Sequence, residues 1–120
     1  MPVSKLNKYK RIEVLVNEVQ LEGLKQALDP TTCALMEITP VKVRSEQGGL
    51  QLEWRAGTYT IDFLHKAKLT LVVPAELTDR VMNQILTACR GQATTEATHA
   101  LEAGYVLVSD LEQVVVFGSN

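Results

Sequence analysis

The chain has 120 residues, of which 46% are hydrophobic and 22% charged, with a formal net charge of −2. That length is a prior for a single domain over residues 1–120. The near-balance of charge excludes a general nucleic-acid binder, which needs Lys and Arg clustered on one surface. No apolar run approaches the roughly 18 residues of a membrane-spanning helix, and MPVSKLNKYK is too polar for a secretory signal, so residues 1–10 read as a loose terminus.

Lys10–Val16 sets Ile12, Val14 and Val16 against Arg11 and Glu13, a period of two that predicts a strand. Leu21, Leu24 and Leu28 then recur at helical spacing, so Gln20–Leu28 is expected to be an amphipathic helix. Asp29-Pro30 ends it, because proline disfavours a helical residue before it and cannot donate to the ladder. Met36–Arg44 is a second strand, and Pro40 suits an edge or a bulge. Ser45–Leu52, with Gly48-Gly49, reads as a flexible excursion within a long connection from Arg44 to about Ile61. Leu69, Leu71 and Val73 alternate with Lys68 and Thr70 as a third strand. Pro74-Ala75-Glu76 opens a helix whose Leu77, Val81, Ile85 and Cys89 recur every four residues. Gly91–Gly104 is polar and irregular, with a short helical stretch around Glu96–Leu101. Tyr105–Val108 and Gln113–Phe117 are β-branched runs.

The order β-α-β, long loop, β-α-β, short extra strand gives an α+β, ferredoxin-like fold with an antiparallel sheet and both helices on one face. Leu15, Val41, Val43, Val72 and Val115 are candidates for an apolar patch on the other face, and a patch of that kind predicts self-association. Catalysis needs a nucleophile, base or metal beside a tuned neighbour. Cys33, Cys89, His65 and His99 are scattered without metal or triad spacing, so the cysteines read as buried free thiols in a reducing cytoplasm, with no metal and no enzyme.

Trp54, Arg55, Tyr59, Ile61, Asp62, Phe63, Leu64, Lys66 and Lys68 fall without a gap into Y-R-G-x-E-Y-x-V-D-F-L-x-K-x-K. That is the lower T-loop and following strand of the PII signalling proteins, which this chain resembles from Lys10 to Gly118. KRIEVLVNEVQLEGLKQAL is similar to that family's first strand and helix. Gln47-Gly48-Gly49 falls near its T-loop tip, Cys89-Arg90-Gly91 at the opening of its B-loop, and Val108–Val114 before its last strand. The resemblance implies a non-enzymatic homotrimer whose sheets line a central channel. It also implies an adenine nucleotide held between subunits and a T-loop that docks on a partner protein.

The departures narrow the ligand. The family's Gly-Asp-Gly-Lys B-loop is replaced by a longer segment ending Glu102-Ala103-Gly104-Tyr105. Its phosphate-binding arginines fall at Val116, Gly118 and Glu46. A triphosphate needs several charge-assisted donors to offset its desolvation, so ADP or AMP is expected rather than magnesium-ATP with 2-oxoglutarate. By resemblance, the nucleotide residues are Leu15, Ala34, Leu35, Met36, Glu37, Lys66, Val72, Arg90 and Gly104. A PII body without PII phosphate chemistry is similar to the carboxysome-associated PII-like proteins, which respond to bicarbonate with ADP or AMP. Arg44, Gln47, Gly48 and Lys66 are the candidates for bicarbonate. Trp54, Arg55 and Tyr59 are candidates for partner contact, with Tyr59 also a candidate for modification. The implied partner is a membrane transporter for inorganic carbon or a carboxysome component. The alternative is a compact trimeric module resembling the CutA metal-tolerance proteins, without nucleotide sensing.

Overall fold

Strand β6 (Phe63–Pro74) alternates buried Ala67, Leu69, Leu71 and Val73 with half-exposed Lys66, Lys68, Thr70 and Val72, and the sheet is built around it. The structure is a computed structural model that describes residues 3–5, 8–44, 50–54, 57–61, 63–89 and 101–118. β6 pairs antiparallel with β2 (Tyr9–Val16) on one side and with β3 (Leu35–Arg44) on the other, and β2 pairs with β7 (Tyr105–Leu111). The spatial order β3-β6-β2-β7, with helix α1 (Glu18–Ala27) after β2 and helix α2 (Thr78–Ala88) after β6, is the ferredoxin-like arrangement. Pro40 lies on β3, an edge strand, where its missing N–H costs the sheet nothing.

The two helices cover one face. Leu24 and Leu28 at α1, and Val81 and Ile85 of α2, close over Ile12, Val14, Val16, Ala67, Leu69, Leu71 and Val73. Each fully buried Leu, Ile or Val stabilises the fold by about 1.5–3 kcal/mol. α1 starts two residues earlier than its apolar spacing suggests, because Asn17 caps it. The Asn17 Oδ1 accepts from the Gln20 amide at 2.9 Å, and the Asn17 amide donates to Gln20 Oε1 at 3.2 Å. Beyond the helix, the Asp29 carboxylate accepts from the Thr31 amide and hydroxyl, each at 2.8 Å. The Thr31 amide bond, more than any other contact, holds the Asp29 pKa below its ordinary value.

Three expectations change. Within the expected long connection, β4 (Leu50–Trp54) and β5 (Gly57–Ile61) are strands paired as a hairpin, from Leu50 opposite Ile61 to Trp54 opposite Gly57, while residues 45–49 of the expected excursion lie outside the described residues. The alternation of Leu50, Leu52 and Trp54 with Gln51 and Glu53 is strand patterning. The β3–β6 ladder stops at Arg44 opposite Phe63 and the hairpin ladder begins at Leu50 opposite Ile61, so the two ladders are separated by five residues of sequence on one side and one on the other. Secondly, the chain after Pro74 begins as a 3-10 turn, Ala75–Leu77, with the Thr78 hydroxyl donating back to the Ala75 carbonyl at 2.8 Å, and α2 follows from Thr78. Thirdly, part of the terminus read as loose is a strand. β1 (Val3–Lys5) pairs antiparallel with β8 (Val115–Phe117) as a separate two-stranded sheet, which removes Val115 from the helix-free face. The expected short helix at Glu96–Leu101 lies almost wholly outside the described residues, which resume with a 3-10 turn at Leu101–Ala103. No described helix is long and apolar enough to cross a membrane.

Replacing Asn17 with Ala is expected to lower unfolding stability by about 1 kcal/mol in a denaturant titration, the usual value of a side-chain cap. Removing residues 1–5 takes away the pairing partner of β8. Amide exchange at Val115–Phe117, followed by mass spectrometry, should then rise by about tenfold or more.

Candidate functional site

Period two along the strands assigns the helix-free face without ambiguity. Leu35 lies opposite Val72, Glu37 opposite Thr70, Val41 opposite Lys66 and Val43 opposite Leu64. Across β2, Arg11 lies opposite Val72 and Leu15 opposite Lys68, and on β7 Tyr105 is opposite Leu15 and Leu107 opposite Glu13. This face is apolar in patches: Leu35 and Leu107 each remain 46% exposed. It is crossed in the middle by an ion pair of 3.3 Å between Lys68 and Glu13, both half-buried.

Five residues expected to bind a nucleotide share this face, in two groups. Leu35, Glu37 and Val72 stand at one end. Ala34 joins them, its amide donating to the Val72 carbonyl at 2.8 Å. Leu15 and Lys66 stand at the other end with Gly104. A side chain on Gly104 would place its Cβ 3.1 Å from the Leu15 carbonyl oxygen, so the bare backbone is what lets this segment approach β2 so closely. Lys66 and Val72 are six residues apart on one strand, about 20 Å at ~3.3 Å per residue. A ligand spanning both groups would lie lengthwise along β6.

Two expectations fail on parity. Met36 is opposite Leu71 and packs against the core, so its side chain belongs to the helix side and only its backbone remains available to a ligand. Arg44, opposite Phe63, also falls on the helix side, whereas Lys66 points the other way. The two cations therefore leave the sheet on opposite faces. Gln47, Gly48, Arg55 and Arg90 lie outside the described residues. Trp54 ends β4 opposite Gly57, and Tyr59 is at the centre of β5 opposite Leu52.

Two contributors escaped the sequence reading. Arg11 stands directly opposite Val72, beside the apolar group, and its alternation with Ile12 was the signal for its face. The Ala103 carbonyl accepts a hydrogen bond from the Lys66 Nζ at 3.2 Å, tying β6 to the turn that precedes β7. Nothing in the sequence announces a contact between residues 37 apart. A shallow groove of about 660 Å³, lined by Lys8, Tyr9, Pro74, Ala75, Glu76, Glu112 and Gln113, lies at the end of the sheet away from the hairpin and includes none of the expected nucleotide residues.

Among the described residues no three His, Cys, Asp or Glu side chains gather as metal ligands. Cys33 and Cys89 are free and half-buried against the core, and burial pushes both thiols above their ordinary pKa.

The fold and this face describe a small α+β protein with a long, partly apolar sheet surface and a separate two-stranded hairpin. The family model described as nitrogen regulatory protein P-II matches residues 9–119, and the chain belongs to that family. It is similar to the nitrogen regulatory protein P-II of Rhodobacter capsulatus, 28% identical over 106 residues that make up 88% of each chain. It is also similar to nitrogen regulatory protein P-II 2 of Methanothermobacter thermautotrophicus, 30% identical over 88% of this chain and 86% of that one. Nitrogen regulatory protein P-II 1 of Escherichia coli strain K12 is 27% identical over 88% of each chain. Among solved structures, a DUF3240 family protein from Shewanella baltica superposes with a TM-score of 0.65, covering 94% of this chain and 100% of that one. At 7% identity that likeness is one of fold.

The thiols offer a simple check on the packing. Because the thiolate is the reactive form and burial disfavours it, iodoacetamide should modify Cys33 and Cys89 about tenfold or more slowly in the folded protein than in urea at pH 8, by mass spectrometry.

Proposed function

We propose that this chain is a non-enzymatic regulator that binds ADP or AMP along the helix-free face of its sheet, in a cleft closed by neighbouring copies in a homotrimer. The base and ribose would lie against Leu35, Val72 and the backbone of Ala34–Glu37, and the phosphates towards Lys66, at the end of the face where the Gly104 segment approaches β2. The observation that carries this reading is the common face of Leu15, Leu35, Glu37, Lys66 and Val72, which a period-two strand had to present together. Membership of the P-II family supports a signalling role. The apolar patches around Leu35 and Leu107 support burial of this face against another copy.

Charge selects the ligand. On the helix-free face of β2 and β6 the cations are Arg11, Lys66 and Lys68, and Lys68 is already committed to Glu13. Arg11 stands opposite Val72 at the base end, so Lys66 is the cation these two strands leave for phosphate, which suits one or two phosphates better than three, because each buried phosphate oxygen needs a charge-assisted donor. Bicarbonate would act beside the nucleotide, with Lys66 the bicarbonate candidate that the described residues place on this face. The response would pass along β6 to the β4–β5 hairpin, where Trp54, Arg55 and Tyr59 meet a protein partner such as an inorganic-carbon transporter or a carboxysome component. The ligand must bind one hairpin state better than another for this to work.

Calorimetric titration of the purified protein with ADP, AMP and ATP, each with and without bicarbonate, tests the reading. ADP or AMP should bind more tightly than ATP, and Val72→Glu should weaken binding by about tenfold or more, by placing a carboxylate against the ligand. A monomer by light scattering, or no heat from any adenine nucleotide, would remove the proposal.

A further inference from the structure

Lys66 and Lys68 occupy equivalent positions on the same face, yet their ammonium groups are engaged differently. Lys68 pairs with the Glu13 carboxylate on the adjacent strand. Lys66 sits one pair beyond the last β2–β6 partners, Val16 and Ala67, so its side chain passes the end of β2. It reaches the 3-10 turn Leu101–Ala103 and donates to the Ala103 carbonyl at 3.2 Å. β6 and the strand that follows this turn are two strand spacings apart, about 10 Å. The long lysyl stem can close that gap only by crossing it. The turn is drawn towards β2 from its other side as well, where Gly104 lies against the Leu15 carbonyl.

We propose that Lys66 is a charge-operated latch: in the free protein it holds the Leu101–Ala103 turn, and an anionic ligand on the helix-free face draws it away and loosens that turn. The inference rests on the nucleotide reading above and adds how occupancy is transmitted. The physical basis is a competition for one ammonium. The bond to the Ala103 carbonyl carries a formal charge on the donor alone, whereas a phosphate oxygen brings the opposite charge as well and adds coulombic attraction to the hydrogen bond. An ammonium has three donors, but a stem stretched across the end of β2 cannot also reach outward over the face. Engagement of phosphate therefore costs the Ala103 contact. By linkage, whatever stabilises the latched turn weakens phosphate binding by the same factor.

The Gly104 amide, which donates to the Leu101 carbonyl at 3.2 Å, reports the turn directly. Hydrogen exchange resolved at Gly104 would be measured on the full chain alone, with saturating ADP, and with adenosine, which has the base and ribose but no phosphate. ADP should speed exchange at Gly104 by about threefold or more, and adenosine should leave it unchanged. Lys66→Met should show the fast rate without ligand and no further response to ADP. Lys66→Arg, which keeps the cation, should stay slow until ADP is added. Equal unfolding midpoints for the variants would show that the change is local. If calorimetry shows ADP binding while Gly104 exchange is unchanged or slowed, the latch is wrong and the nucleotide reading survives. A slow Gly104 in ligand-free Lys66→Met also overturns the latch. Absence of any ADP heat overturns both together.

Discussion

Strand β6 imposes one constraint from which the rest follows: successive residues must point to opposite faces. Its odd-numbered residues from Ala67 to Val73 are all apolar and buried, so the helices have a single place to pack. Its even-numbered residues are then committed to the other face whatever their chemistry. Lys66, Lys68, Thr70 and Val72 form a row that no helix covers, and β2 and β3 add Arg11, Glu13, Leu15, Leu35 and Glu37 to it. Core and candidate site are thus two sides of the same strand. Slipping the register by one residue would bury lysines and expose leucines.

That coupling also explains how the chain can be about 28% identical to a family member and keep the fold. The buried face needs only the right volumes and branching, which many sequences supply. The helix-free face answers to chemistry, and there this chain has few cations, one of them neutralised by a neighbouring glutamate.

Much of the fold was legible in the sequence. The strands at Lys10–Val16 and Leu69–Val73 were plain because strict alternation has no helical interpretation over that length. The start of α1 was misplaced although Asn17 and Gln20 have the spacing of a capping box, because the apolar period begins only at Leu21. β1 was missed for a different reason: three residues carry no periodicity, and their partner β8 lies at the far end of the chain. In the site, the shared face of Leu35 and Val72 follows from two correctly placed strands. The separation of Arg44 from Lys66 was also readable, but only by counting parity through the pairing of Arg44 with Phe63. The Lys66–Ala103 bond was not readable, since the turn that receives it follows a stretch with no repeating pattern.

The mismatch at the base of the hairpin has a consequence for how such proteins can diversify. On either side of residues 45–49 and 62 the ladders are in fixed register, Arg44 with Phe63 and Leu50 with Ile61. Between them the sequence is five residues long on one side and one residue long on the other. Insertions or deletions there would leave every pair in the sheet and in the hairpin unchanged. A single-residue change inside either ladder would instead turn every following side chain over. This short stretch is therefore where descendants of the chain could alter reach and pitch while inheriting the sheet unaltered.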